Sequence, residues 1–141
     1  MSTEQNKALV RQLIEEVFNQ GKVSLVDELF ADDFNEHEEL PPGMPPGREA
    51  NKLITTMLHS AFPDFKATII NLIAEGDKVA IHMTWVGTQK GEFMGIPPTG
   101  KHVSFDVFDI LRIVGGKIVE HWGLMDQMGL MQKLGVMAPP E

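Results

Sequence analysis

The chain has 141 residues, 43% of them hydrophobic, with 20 acidic side chains against 12 basic ones, a net charge of −8, and neither cysteine nor tyrosine. That length fits one domain with a real core, while the missing residue types exclude thiol nucleophiles, disulfides, thiolate metal sites and phenolic acid catalysis. The acidic balance, with no local Lys/Arg cluster, disfavours nucleic acid and anionic lipid as partners and points to a small neutral or apolar molecule.

No apolar run approaches the roughly 18 residues of a membrane span. The opening MSTEQNKALVRQ lacks the basic start and apolar block of a secretory signal, so a cytoplasmic location is expected. Leu9, Val10, Leu13, Ile14, Val17 and Phe18 repeat at helical spacing, with a Ser2/Gln5 capping box in front and Gly21 as the stop. A short second helix from about Ser24 buries Leu25, Val26, Leu29 and Phe30. The stretch DDFNEHEELPPGMPPG, from Asp32 to Gly47, reads as a loop folded over the domain, because proline and glycine interrupt it. A third helix carries Ala50, Leu53, Ile54, Met57, Leu58 and Ala61 on one side and ends at Pro63.

From Lys66 the period changes to two. KATIINLIA, KVAIHMTWVGT, HVSFDVFDILRIV and KIVEHWGLM read as four strands. QMGLMQKLG then reads as a closing helix, with residues from about 136 to 141 as a frayed tail. Helices followed by a long antiparallel sheet give a single α+β domain over residues 1–141, with the helices on one face of a curved sheet that encloses a pocket.

Gly115-Gly116 is a two-residue hairpin turn, which sets Val114 opposite Lys117. A regular ladder from there puts Leu111 opposite Glu120, Asp109 opposite Trp122, Val107 opposite Leu124 and Phe105 opposite Asp126, all on one face with Ile113 and Ile118. Seven of these ten residues are apolar, so this is the expected inner face, and three acids interrupt it. Asp109 and Glu120 are diagonal neighbours roughly 6–8 Å apart, close enough for burial and like charge to raise a carboxyl pKa toward the range of general acid–base work. Asp126 lies roughly 13 Å farther along at strand rise. Each acid also has a structural reading: Asp126 as the cap of the closing helix, and Glu120 and Asp109 as ion-pair partners of Arg11 or Arg48. Trp122 is either core or ligand platform.

No histidine falls in a metal-ligand spacing, so no metal is expected. His37 sits on the Pro-rich loop, either solvated or at the cavity mouth, with Asn35 as a nearby polar candidate. His121 falls on the outer face in this register, and the facing of His82 is open.

Two stretches, GEFMGIPPTGKHVSF and GKIVEHWGLMDQMGLMQKLG, resemble the SnoaL-like polyketide cyclase family of the nuclear-transport-factor-2-like superfamily, and the likeness runs over nearly the whole chain. The resemblance implies a cone-shaped α+β barrel around a deep apolar pocket, a homodimer through the sheet, and chemistry that needs no cofactor. It implies that Asp126 is the general acid/base of an intramolecular aldol ring closure on a polyketide ester. Where the family's cyclases place a histidine and a glutamine on the strand before the final hairpin, this chain has Asp109 and Val107. Three functions follow: a cyclase or isomerase acting on a small hydrophobic carbonyl compound, a hydrolase or hydratase that activates water with its carboxylates, and a non-catalytic binding domain. The residues expected at the site are Asp126 and Asp109 for catalysis, and Trp122, Glu120, Phe105, Val107, Leu124, His37 and Asn35 for binding.

Overall fold

A computed structural model describes residues 2–137. Helix α1 (Thr3–Gln12) starts at the predicted capping box, with Ser2 and Gln5 satisfying each other's backbone N–H groups. It continues as a wider π-helical turn over Leu13–Phe18, an irregularity often found at functional sites. After a short turn, α2 (Val26–Leu29) leads into β1 (Phe30–Glu36). Helix α3 (Glu49–Ala61) stops before Phe62, because Pro63 disfavours a helical conformation in the residue preceding it. Strands β2 (Lys66–Glu75), β3 (Lys78–Thr88), β4 (His102–Val114) and β5 (Lys117–Met125) follow, and α4 (Gln127–Leu134) closes the chain. The expected tail lies, from residue 138 on, outside the described residues.

The four predicted strands stand close to where the two-residue period put them. The fifth, β1, corrects the loop assignment from Asp32. All the prolines of that stretch come after Leu40, so nothing breaks the chain before Glu36, while Phe30 and Phe34 anchor it in the core with their rings edge to face. The sheet order is β1-β5-β4-β3-β2, with β1 parallel to β5 and the other pairs antiparallel. This α+β arrangement buries one sheet face against the helices. Val79, Ile81, Met83 and Trp85 of β3 and Val103, Phe105, Val107, Leu111 and Ile113 of β4 meet Val10, Leu13, Ile14, Val17 and Leu58 there.

The connection from β3 to β4 is pinned by a buried side chain. Gln89 donates to the Ile96 carbonyl and accepts from the backbone and hydroxyl of Thr99. That closes the GIPPTG segment into a fixed loop and sets Phe93 and Met94 beside the cavity on the inner face.

The β4–β5 hairpin departs from a regular ladder. Val114 pairs with Lys117 and Ile113 with Ile118, but the next pair is Arg112 with Glu120, which leaves Val119 as an extra residue. Because side chains alternate, one inserted residue exchanges the two faces of everything beyond it on β5. His121, Gly123 and Met125 therefore join Leu111, Asp109 and Val107 inside. Glu120, Trp122 and Leu124, expected on the inner face, stand outside with Arg112, Ile110 and Phe108.

Candidate functional site

The cavity lies between the inner sheet face, the π-helical turn, α3 and the Pro-rich loop. Its walls are mostly apolar, among them Leu13, Ile14, Phe18, Ile54, Leu58 and Val107, and its polar groups gather around Glu36, Glu38, Asp109 and His121. The sheet explains the gathering. Glu36 on β1 is the lateral partner of His121 on β5, so their side chains emerge side by side on adjacent strands. Asp109 on β4 is directly opposite Gly123 and diagonal to His121. Gly123 leaves open the space opposite Asp109, and the carboxylate and the imidazole both occupy it. A Cβ at Gly123 would collide with Asp109 Oδ1 and come within 2.7 Å of His121 Cε1.

His121 is held at both nitrogens. Nδ1 donates to Glu36 Oε1 at 2.5 Å, and Nε2 forms an ion pair with Asp109 Oδ1 at 3.0 Å. The three side chains are only 8% (Glu36), 13% (Asp109) and 15% (His121) exposed. Burial works against a charged ring, but the contacts with Asp109 and Glu36 and their negative charges outweigh it and push the His121 pKa up to about 10. The ring is an imidazolium at neutral pH. Glu36 Oε1 also accepts the backbone N–H of Glu38 at 3.0 Å, which turns Glu38 onto the cavity wall. There burial raises the Glu38 carboxyl to about 7, with the His121 charge opposing the rise and those of Asp109 and Glu36 adding to it. One cation thus faces three carboxyl groups, and one of the three is half-protonated near neutrality.

Oxygen and nitrogen atoms of Glu36, Glu38 and His121 lie within 4.8 Å of one another, which is the spacing of a divalent-cation site. The donor set fits a metal poorly, because His121 would have to release a proton engaged with a carboxylate before it could ligate.

The expected binding residues separate into two groups. Phe105 and Val107 are buried on the inner face, and Val107 lines the cavity. Glu120, Trp122, Leu124, His37 and Asn35 are on or beside the outer face. Glu120 pairs there with Arg112 and His37, both at 2.8 Å, rather than with Arg11 or Arg48. Those contacts hold its carboxyl below the usual range. His37 stacks on Trp122 with ring centroids 4.6 Å apart, and Asn35 reaches toward His37 at 3.4 Å. Asp126 is exposed and accepts the Gly129 N–H at 2.9 Å as the N-cap of α4. It is absent from the cavity wall, so its expected place on the inner face is corrected by the same bulge and by the chain's turn into the helix.

The regular register missed His121 and Gly123, and the loop assignment from Asp32 missed Glu36 and Glu38. The signal was in the cross-strand pairs. Shifting the ladder by one residue places Arg112 against Glu120, Ile110 against Trp122 and Phe108 against Leu124. These are better-matched partners than Leu111 with Glu120 or Asp109 with Trp122.

Comparison with known proteins agrees with this architecture. The nogalonic acid methyl ester cyclase of Streptomyces nogalater is 27% identical over 119 residues, 84% of this chain and 89% of that protein. The aklanonic acid methyl ester cyclase DnrD of Streptomyces peucetius is 32% identical over 135 residues, 90% of this chain and 88% of that one. The solved structure of TsrD from Streptomyces laurentii superposes with a TM-score of 0.88 at 27% identity, covering 97% of this chain and 99% of that one. The model of the SnoaL-like polyketide cyclases matches residues 8–134. With its helices on one face of the curved sheet and the GIPPTGK loop beside the cavity, the chain belongs to the SnoaL-like polyketide cyclase family.

Proposed function

We propose that this protein is an ester-cyclase-type enzyme that closes a ring in a small hydrophobic carbonyl compound by general acid–base chemistry, with Asp109 as the base. The observation that supports it is the Asp109–His121–Glu36 chain at the wall of an apolar cavity. Asp109 commits Oδ1 to the imidazolium and has Oδ2 left for substrate. A fixed carboxylate in a water-poor site takes a proton from the carbon next to a carbonyl, and the resulting enolate carbon attacks a second carbonyl of the same molecule. Glu38, partly protonated near pH 7, returns a proton to the new alkoxide. A carboxylate held by the imidazolium and a carboxyl group raised by burial divide the base and acid roles. One proton leaves carbon and one arrives at oxygen, so the reaction is redox-neutral and the product is an isomer of the substrate. No redox cofactor is required by that balance.

The test uses aklanonic acid methyl ester, the compound for which one relative is named. The expected result is an isomer of equal mass with one ketone fewer, formed more slowly by Glu38→Gln. Release of a water-addition product of higher mass would favour hydratase chemistry instead, and no conversion of this or other polyketide esters would count against the reading.

The outer sheet face supports a second part of the proposal, a homodimer formed through the sheet. Ile73, Phe108, Ile110 and Leu124 are exposed there, Leu124 by 77%, and an apolar surface of this kind marks an association site. Sedimentation equilibrium is expected to give a dimer that Leu124→Lys weakens. A monomer at high concentration would argue against it.

A further inference from the structure

Glu36 and Glu38 reach the cavity from the end of the sheet's edge strand. β1 has β5 as its sheet neighbour, and its register to β5 is irregular between Phe30 and Asn35. Residues 35–37 therefore meet β5 as a separate short contact, which the His37 N–H closes by donating to the His121 carbonyl at 2.9 Å. The Pro-rich loop begins directly after it. Side chains alternate through this stretch: Asn35 and His37 stand outside, and Glu36 and Glu38 point to the cavity.

The outer side of the same stretch has its own grip. His37 lies flat on Trp122, with the rings 3° from parallel and their centroids 4.6 Å apart. Its Nε2–H donates to Glu120 Oε2 at 2.8 Å, since a carboxylate there can only accept. Lys78 of β3 reaches Trp122 as well, its Nζ 5.7 Å from the ring centroid. Glu120, His121 and Trp122 are consecutive on one strand, as Glu36, His37 and Glu38 are on the other. Glu36 is thus tied to His121 inside, while its neighbour His37 is tied to Trp122 and Glu120 outside. The ion pair with Glu120 is screened, since His37 and Glu120 are 33% and 24% exposed. The stack covers ring surface and does not depend on charge.

We propose that His37 and Trp122 are positioning residues: their stack on the outer face pins the end of β1, and so sets Glu36 against His121 and Glu38 on the cavity wall. Neither ring lines the cavity, so the effect passes through the backbone of the strand. Glu38 follows Glu36 because its N–H donates to Glu36 Oε1. The inference rests on the proposed function only in giving the positioned carboxyl groups a catalytic use.

The test is an NMR titration of the His121 ring, which faces Asp109, Glu36 and Glu38. The wild-type ring is expected to titrate near pH 10. His37→Ala removes the stack and is expected to weaken proton binding at His121 about tenfold or more, because an opposite charge in close contact shifts a pKa by about 1–3. Trp122→Leu is expected to do the same from the other strand. His37→Phe keeps a ring on Trp122 without the Glu120 contact and should restore most of the loss. Unfolding midpoints show which variants are folded during the titration. An unchanged His121 titration in either folded variant that lacks the stack would overturn the inference, as would a loss in His37→Phe as large as in His37→Ala. The titration needs no substrate. Absence of cyclisation by the wild type, with the shift in His121 present, would therefore count against the proposed function and leave the positioning role standing.

Discussion

The two faces of the β4–β5 hairpin carry similar residue types and do different things with them. Inside, Asp109 and Glu36 share one histidine, all three side chains largely buried. Outside, Glu120 shares Arg112 and His37 in contact with solvent. The inner set holds its histidine charged up to about pH 10, because the contacts with Asp109 and Glu36 outweigh the burial of the ring. The outer set is worth little as individual pairs, because water and salt screen them. In the proposed function the carboxylate beside the apolar cavity is the reagent, and the one on the far face of the hairpin is part of a surface. One inserted residue, Val119, sets Glu120 outside and His121 inside.

The comparison breaks most sharply at the acids. Asp109→Asn is expected to lower turnover by about 10²–10⁴, the range for loss of a general base, whereas Glu120→Gln should leave turnover within about threefold, as expected of a screened surface pair. Steady-state kinetics of the cyclisation of a polyketide ester measures both.

The space at Gly123 is the next weak point. Gly123→Ala puts a methyl group into the Asp109–His121 contact and is expected to cost about 1–3 kcal/mol of stability in urea unfolding, with activity falling in parallel.

The charge on His121 sharpens the contrast through pH. Its pKa rises from 6.5 to about 10 on folding, so its stabilisation is complete below about pH 6.5 and is lost as pH climbs through 10. Glu38 rises from 4.5 to about 7 by burial, so the folded state holds its proton more tightly, and stability falls between those values as well. Stability should therefore decline steadily with pH on the alkaline side. His121→Gln should flatten the profile between pH 6.5 and 10, as read from midpoints of thermal or urea unfolding.

The smallest effect is expected at the cap. Asp126→Ala removes the acceptor for the Gly129 N–H and is expected to cost about 1 kcal/mol with turnover nearly unchanged.

Much of this was legible in the sequence, and the reasons for the rest are specific. The period of two located β2 to β5, and Ser2 with Gln5 located the start of α1, because these are local signals. Asp109 was placed on the inner face correctly, since β4 alternates cleanly from Val103 to Ile113. Strand β5 does not alternate: Ile118 and Val119 are adjacent apolar residues, and Trp122, Leu124 and Met125 follow on both faces. Hydrophobic pattern alone could not pin its register, so Glu120 and Trp122 were exchanged with His121 and Gly123. Glu36 and Glu38 were hidden for another reason. Their partner lies some 85 positions away, and only the parallel pairing of β1 with β5 brings them to it.

The most direct measurement compares Asp109→Asn and Asp126→Asn side by side for cyclisation, with folding checked by unfolding midpoint. The account predicts that Asp109→Asn loses at least a hundredfold in turnover while Asp126→Asn keeps nearly all of it. Normal turnover by Asp109→Asn, with activity lost in Asp126→Asn, would contradict it and return the chemistry to the residue at the helix cap.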